Sequence, residues 1–228
     1  MKVSALLPVK GFRNAKQRLS PLLGAADREH LAEAMFRDVL REVTRARGLE
    51  ATFVVTGNDK VAEIAAAMGA AVIHEPAETG ETGAVDFARL ELKRAGCEAV
   101  LILPGDMPLM HASDIEQVLA QVPNGATAPF ALLVPSHDRL GTNALLLAPP
   151  DVIRLRFGYD SFTYHLSQVS ARGLPLRFFE NEAIALDIDE PQDLRRFIAV
   201  GRDDGETYRL ASGLVVRAEG RLRRSGGA

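Results

Sequence analysis

The chain has 228 residues, 47% hydrophobic and 25% charged, an ordinary globular composition for one large domain or one domain with a small appendage. A net charge of −3 argues against a strongly basic nucleic-acid binder, and a single cysteine, Cys97, rules out an intramolecular disulfide or a thiolate metal cluster. No segment approaches the ~20 apolar residues of a membrane span, and the apolar run in MKVSALLPVK, ended by Pro8, is too short for a signal peptide. A cytoplasmic protein is therefore expected.

In chain order, residues 3–9 read as a strand ended by proline. Between 27 and 47, Leu31, Met35, Phe36, Val39, Leu40 and Val43 recur at three- and four-residue intervals, so one face of a helix is apolar, and Gly48 stops it. A β-branched strand follows at 51–57, a helix at 59–68 and a third strand at 70–75. Residues 76–83 read as a polar loop before a helix at 85–95. The continuous apolar run at 98–106 fits a buried parallel strand. Ser113, with Glu116 three residues on, reads as a capping box for the next helix. Strands are expected at 126–136 and 142–148, joined by a hairpin turn, then a loop at 156–162 and a helix ending near Gly173. Residues 175–180 and 183–189 read as the last core strands, and Pro191 opens a helix. After Gly201 the pattern changes. Ser212-Gly213 suits a small hairpin that covers a sheet edge or pairs subunits, and the end RRSGGA reads as disordered.

Alternating strands and helices predict an α/β fold with a mainly parallel mixed sheet flanked by helices and a small antiparallel excursion at 126–148. The domain boundaries are 1–200, with 201–228 as a C-terminal extension. In such a sheet, ligands bind beyond the carboxyl ends of the strands. The loop after the first strand carries Lys10, Arg13, Lys16 and Arg18, with no acidic residue before Asp27. The loop after 98–104 carries Gly105 and Asp106, and the last strand ends in Asp187 and Asp189, two residues apart and so on one side of an extended chain. Carboxylates facing cations suit Mg²⁺ and a phosphate, and hence phosphoryl or nucleotidyl transfer.

Each of these features also has a plain structural explanation. The cationic loop could be a solvated one, Asp106 a turn aspartate, and the Asp187–Asp189 pair a complement to the positive end of the helix at Pro191. There is no P-loop, no dinucleotide fingerprint and no G-x-S-x-G, and His30, His74, His111, His137 and His165 lack metal spacing.

LLPVKGFRNAKQRLSPLL, VVTGN, PGDMPLM, GTNALLL, FGYDSFTYHL and LDIDEPQDL stand in the order seen in guanylyltransferases of the coenzyme F420 pathway. Over roughly 1–200 the chain resembles the 2-phospho-L-lactate, phosphoenolpyruvate or 3-phosphoglycerate guanylyltransferase family. The resemblance implies a single-domain, Rossmann-like nucleotidyltransferase. It implies transfer of GMP from GTP to the phosphate of a three-carbon phospho-acid, with Mg²⁺ and release of pyrophosphate, and allows a homodimer. By position, Lys10, Lys16 and Asp106 become catalytic candidates. Lys10, Arg13, Lys16, Arg18, Thr82, Gly83 and Gly105 become nucleotide-binding candidates. Thr142, Gly158 and Ser161 would take the acceptor's phosphate, and Asp106, Asp187 and Asp189 the metal. At Ser161 a helix opens, and its exposed N–H groups are expected to form an anion site. Many relatives carry a Gly-Leu-Asn-x-Ala-like stretch near the base; here it reads GETGAVDFA, where Thr82, Gly83 and Asp86 are expected to substitute. Two other readings stay open: a related nucleotidyltransferase with another nucleotide or acceptor, such as a sugar phosphate or molybdopterin, and a noncatalytic phosphometabolite-binding protein.

Overall fold

Val3 through Leu7 are all buried, which makes β1 (Val3–Pro8) a strand covered on both faces. In the computed structural model, which describes residues 1–77, 79–122, 129–201 and 205–225, β1 is central in a six-stranded sheet. On one side it pairs in parallel with β2 (Leu49–Thr56), which pairs in parallel with β3 (Ala71–His74). On the other side it pairs in parallel with the fully buried β4 (Ala99–Ile102). β5 (Phe130–Pro135) and β6 (Thr142–Ala148) form the antiparallel hairpin, with β6 set against β4, giving the order β3-β2-β1-β4-β6-β5. The part of the expected β5 before residue 129 lies outside the described residues.

Alternate residues of each strand face two different cores. Leu7, Leu101 and Leu146 belong to the larger one, with α1 (Ala25–Arg45), α4 (Ala112–Ala120) and α7 (Pro191–Val200). Leu6, Ile102 and Leu145 belong to the other, with α3 (Gly80–Arg94) and α5 (Ser161–Ala171). A Leu→Ala change at Leu101, fully buried between these layers, would cost roughly 2–5 kcal/mol. α2 (Asp59–Ala67) starts at Asn58, whose side-chain oxygen accepts from Val61 N–H at 3.1 Å. Among the described residues no helix is long and apolar enough to cross a membrane.

Five expectations are corrected. The capping box belongs to His111 and Asp114, not to Ser113 and Glu116: Asp114 accepts from the His111 N–H at 2.8 Å, while Glu116 is taken by Arg47. The loop at 76–83 is shorter, because α3 already begins at Gly80. Residues 175–180 make only a bridge between Phe178 and Leu133, and 183–189 begins inside α6 (Glu182–Ala185) and continues as extended chain rather than a strand. The expected hairpin at Ser212-Gly213 is instead part of α8 (Glu206–Ser225). Thr207, Ala211, Leu214 and Ala218 are buried at helical spacing, and α8 packs on α1. Asp38 of α1 caps α8, accepting from Glu206 N–H at 3.3 Å and Thr207 N–H at 2.7 Å. The end of the chain, 226–228, lies outside the described residues.

Candidate active site

The loop after β1 is pinned by two buried side chains, Phe12, which packs on Phe36, and Leu19. Between them Lys16 takes a left-handed backbone conformation, φ 54°, costing about 1–2 kcal/mol for a residue with a Cβ. That turn sends its side chain inward, where it is only 9% exposed. Lys16 Nζ donates to Asp106 Oδ2 at 2.5 Å and to Asp189 Oδ1 at 2.8 Å. Burial alone would depress the Lys16 pKa, but Asp106 and Asp189 outweigh it and raise the value above the ordinary lysine range. Burial likewise opposes ionisation of Asp189, yet Lys16 and Arg18 hold its pKa low.

The 186–189 segment reaches this point without being a strand because its backbone is tied to its neighbours. Ile188 N–H donates to Asp106 O at 3.1 Å, and His137 N–H donates to Ala185 O at 2.9 Å. Asp193 closes the end of the segment by accepting from Asp189 N–H and Glu190 N–H at 3.2 and 2.7 Å. Asp187 is aimed by Asn143, whose Nδ2 donates to Asp187 Oδ1 at 3.0 Å and to Ile184 O at 2.9 Å. Burial, then the charge of Asp106, raises the Asp187 pKa, with Asn143 opposing.

Asp106, Asn143, Asp187 and Asp189 line a cleft of two lobes, of about 660 and 320 Å³, which share Glu81, Pro104 and Asp106. The smaller lobe is walled by Pro8, Val9, Val55 and Ala84 and carries Lys10, Glu75 and Gly105. A Cβ at Gly105 would stand 3.2 Å from Val9 Cγ2, a contact close enough that Val9 would have to give by a few tenths of an ångström to admit it. The larger lobe holds Arg18, Asp187, Asp189, Thr142, Gly158 and Ser161. Of the expected nucleotide-binding residues, Arg13, Lys16, Thr82 and Gly83 line neither lobe; Lys16 stands behind the wall, against Asp106 and Asp189. Thr82 Oγ1 accepts from Phe157 N–H at 2.9 Å, Gly83 packs against Thr79, and Asp86 pairs with Arg89 at 2.6 Å. The residue that faces the cleft from the first turn of α3 is Glu81. Burial, then Asp106, pushes its carboxyl up to about 7, against the pull of Lys10. The sequence offers no signal for it, because residues 76–83 read as a polar loop, in which an exposed acid is ordinary.

On the far wall, Thr142 and Ser161 are buried. Ser161 Oγ accepts from Thr142 N–H at 3.0 Å, and Thr142 Oγ1 lies 2.9 Å from His165 Nδ1. His165 is fully buried, and its Nε2 accepts from Arg156 N–H at 3.2 Å. Burial, then Arg156 and Arg89, lowers its pKa to about 4, so the ring is neutral. The expected anion site of free backbone N–H groups at the start of α5 is corrected in part. Ser161 N–H is taken by Gly158 O at 3.1 Å and Phe162 N–H by Leu140 O at 3.4 Å. The donor that Ser161 keeps for a ligand is its hydroxyl. Gly158, at φ +100°, needs glycine to make the turn into α5.

Among the described residues, no three carboxylates, imidazoles or thiolates stand ready as a metal cage, and Lys16 sits between two of the three expected ligands. Asp106 Oδ1, however, is buried with no hydrogen-bond partner. A buried carboxylate oxygen left unpaired beside Asp187 fits a divalent cation, which takes hard oxygen ligands.

Residues 3–219 match the family model described as "Guanylyl transferase CofC like". The chain is 36% identical to the phosphoenolpyruvate guanylyltransferase of Conexibacter woesei over 194 residues, 85% of this chain and 86% of that one. It is 32% identical to the 2-phospho-L-lactate guanylyltransferase of Methanothermobacter thermautotrophicus over 201 residues, 88% and 86% of the two chains. Among solved structures it shares its fold with CMP:2-keto-3-deoxy-manno-octonic acid synthetase complexed with CTP. That likeness has a TM-score of 0.59 at 15% identity and covers 88% of this chain and 98% of that one.

Proposed function

The chain belongs to the CofC-like guanylyl transferase family, and we propose that it transfers GMP from GTP to the phosphate of a three-carbon phospho-acid in coenzyme F420 biosynthesis. The acceptor is 2-phospho-L-lactate, phosphoenolpyruvate or 3-phospho-D-glycerate. The observation that carries this reading is Asp106, which lines both lobes and is tied through Lys16 to Asp189 of the larger one. A reaction between two phosphorylated substrates needs one junction and two chambers.

The smaller lobe, with its apolar walls, takes the nucleoside end, and Lys10 and Lys16 take the triphosphate. An acceptor phosphate oxygen then attacks the α-phosphorus of GTP. The new O–P bond forms as the bond to the β-phosphate oxygen breaks, and pyrophosphate leaves with that electron pair. With a second pKa of about 6, the acceptor phosphate is largely ionised at pH 7, so no general base is required. The hydroxyls of Thr142 and Ser161 donate to the acceptor phosphate and orient it. Lys10, Lys16 and Arg18 balance charge on the phosphates as the transition state develops.

The carboxylates lining the larger lobe outnumber its cations, and two anionic substrates would be repelled from it without a counter-ion. Asp106, Asp187 and Asp189 are the residues that would hold Mg²⁺, which when bound supplies Lewis-acid polarisation of phosphate oxygens. A cytoplasmic location, where GTP and phosphorylated acids are found, goes with this reading.

The test is pyrophosphate release from GTP and MgCl₂ with each of the three acids, repeated with EDTA and with ATP, CTP and UTP. Release with GTP and one acid, lost with EDTA, is expected. No release with any acid at high enzyme concentration would overturn the proposal. A faster reaction with another nucleotide would move it to a related nucleotidyltransferase.

A further inference from the structure

The buried imidazole of His165 has no part in the chemistry just described, yet a polar contact meets each of its two ring nitrogens. The Arg156 backbone N–H can only donate, so Nε2, 3.2 Å away, must accept. A neutral ring that accepts at Nε2 carries its proton at Nδ1. That proton faces Thr142 Oγ1 at 2.9 Å, which therefore accepts. The ring is locked by Phe157 and Tyr164, whose centroids stand 5.4 and 5.8 Å away in edge-on contact. Ser161 Oγ is committed in the same sense, because it accepts from the Thr142 N–H at 3.0 Å. Both hydroxyl oxygens thus spend acceptor capacity on the protein and keep their hydrogens for the cleft they line.

We infer that His165 is a positioning residue that fixes the Thr142 hydroxyl as a hydrogen-bond donor to the acceptor's phosphate. A free hydroxyl can turn its oxygen or its hydrogen toward a ligand. Only the hydrogen suits a phosphate dianion, which has nothing but acceptors to offer. Supplying a hydrogen bond to that oxygen from behind removes the wrong orientation before the substrate arrives. A neutral ring does this without placing a second positive charge in the wall. A protonated ring would need a partner for Nε2–H where an N–H already stands. The inference rests on the acceptor-phosphate reading of the larger lobe.

The experiment compares the full-length protein with Thr142→Val, His165→Phe, His165→Asn and the Thr142→Val/His165→Phe pair. Each is assayed with GTP and whichever of the three acids the unmodified protein uses fastest. Thr142→Val is expected to raise the acceptor KM roughly ten- to hundredfold, as loss of a hydrogen bond to a charged group does, with the GTP KM within twofold. His165→Phe should raise the acceptor KM in the same selective way. His165→Asn, whose amide can place a donor near the Nδ1 position, should recover part of the loss. The pair should be no worse than Thr142→Val alone, since the imidazole acts through that hydroxyl. Nitrogen-15 spectra of the unmodified protein at pH 7 should show the proton on Nδ1 of His165. A proton on Nε2, an imidazolium, or an unchanged acceptor KM in Thr142→Val overturns the inference; the spectrum and Thr142→Val decide even where His165→Phe does not fold. Full fading of the function reading looks different: the unmodified protein itself would turn over none of the three acids.

Discussion

The ammonium of Lys16 reaches Asp106 and Asp189 because Phe12 and Leu19 anchor its loop and a left-handed backbone step turns it inward. At Asp106 one oxygen is held by that ammonium and the other is buried without a partner. Replacing Asp106 by Asn keeps the shape but removes the charge. Turnover should fall at least about a hundredfold while the far-ultraviolet circular dichroism is unchanged. Retained turnover would remove Asp106 from the reaction centre. The charged residues of this site were legible because PVKGFRNAK follows β1 and PGD follows β4, where the sheet leaves its ligand crevice, and because LDIDEP reads as a pair of carboxylates although it follows no strand. Glu81, Asn143 and His165 were not. Each is a single polar residue in a stretch that reads as an ordinary loop, strand or helix. Their partners, such as Asp187 for Asn143 and Thr142 for His165, lie 44 and 23 residues away.

At the scale of elements, the misread segments share a cause. Residues 175–180 look like a strand, but Leu176 and Phe178 are more than half exposed and the backbone meets β5 only around Leu133. Ser212-Gly213 looks like a turn, but Gly213 faces open space on a helix whose other side carries Thr207, Ala211 and Leu214 into the core. What selects helix there is the surface of α1 and the carboxylate of Asp38, neither of which is local. Asp38→Ala should therefore loosen α8. Losing a cap that serves two N–H groups, and the Arg41 pairing at 2.7 Å, should cost roughly 1–2 kcal/mol. For a chain of this size that is a fall in Tm of roughly 2–8 °C, read by calorimetry, with turnover per folded molecule unchanged. An unaltered Tm would mean that α8 docks by its apolar face alone.

For the whole molecule, the buried neutral imidazole makes stability depend on pH. His165 has its folded pKa lowered from 6.5 to about 4, so below 6.5 the unfolded chain takes up a proton that the folded chain refuses. The stability this represents is complete above about pH 6.5. It is lost as pH falls toward 4, by up to roughly 3 kcal/mol. Glu81 and Asp187, with raised pKa values, act in the opposite sense over part of the range, losing stability as pH rises. The difference between the unmodified protein and His165→Asn in urea unfolding therefore carries the test. It should shrink from pH 7 to pH 4.5, and a constant difference would show that the imidazole is not held neutral. By itself the sequence determined the alternating α/β order, the central buried strands, and the cations and carboxylates at their carboxyl ends. Local periodicity and charge encode those features directly. Only the tertiary structure decided that α8 is a helix, that Glu81 rather than Thr82 faces the cleft, and which atom of His165 meets Thr142. Each of those is set by a surface distant in the chain, where burial and hydrogen-bond partners outweigh local preference.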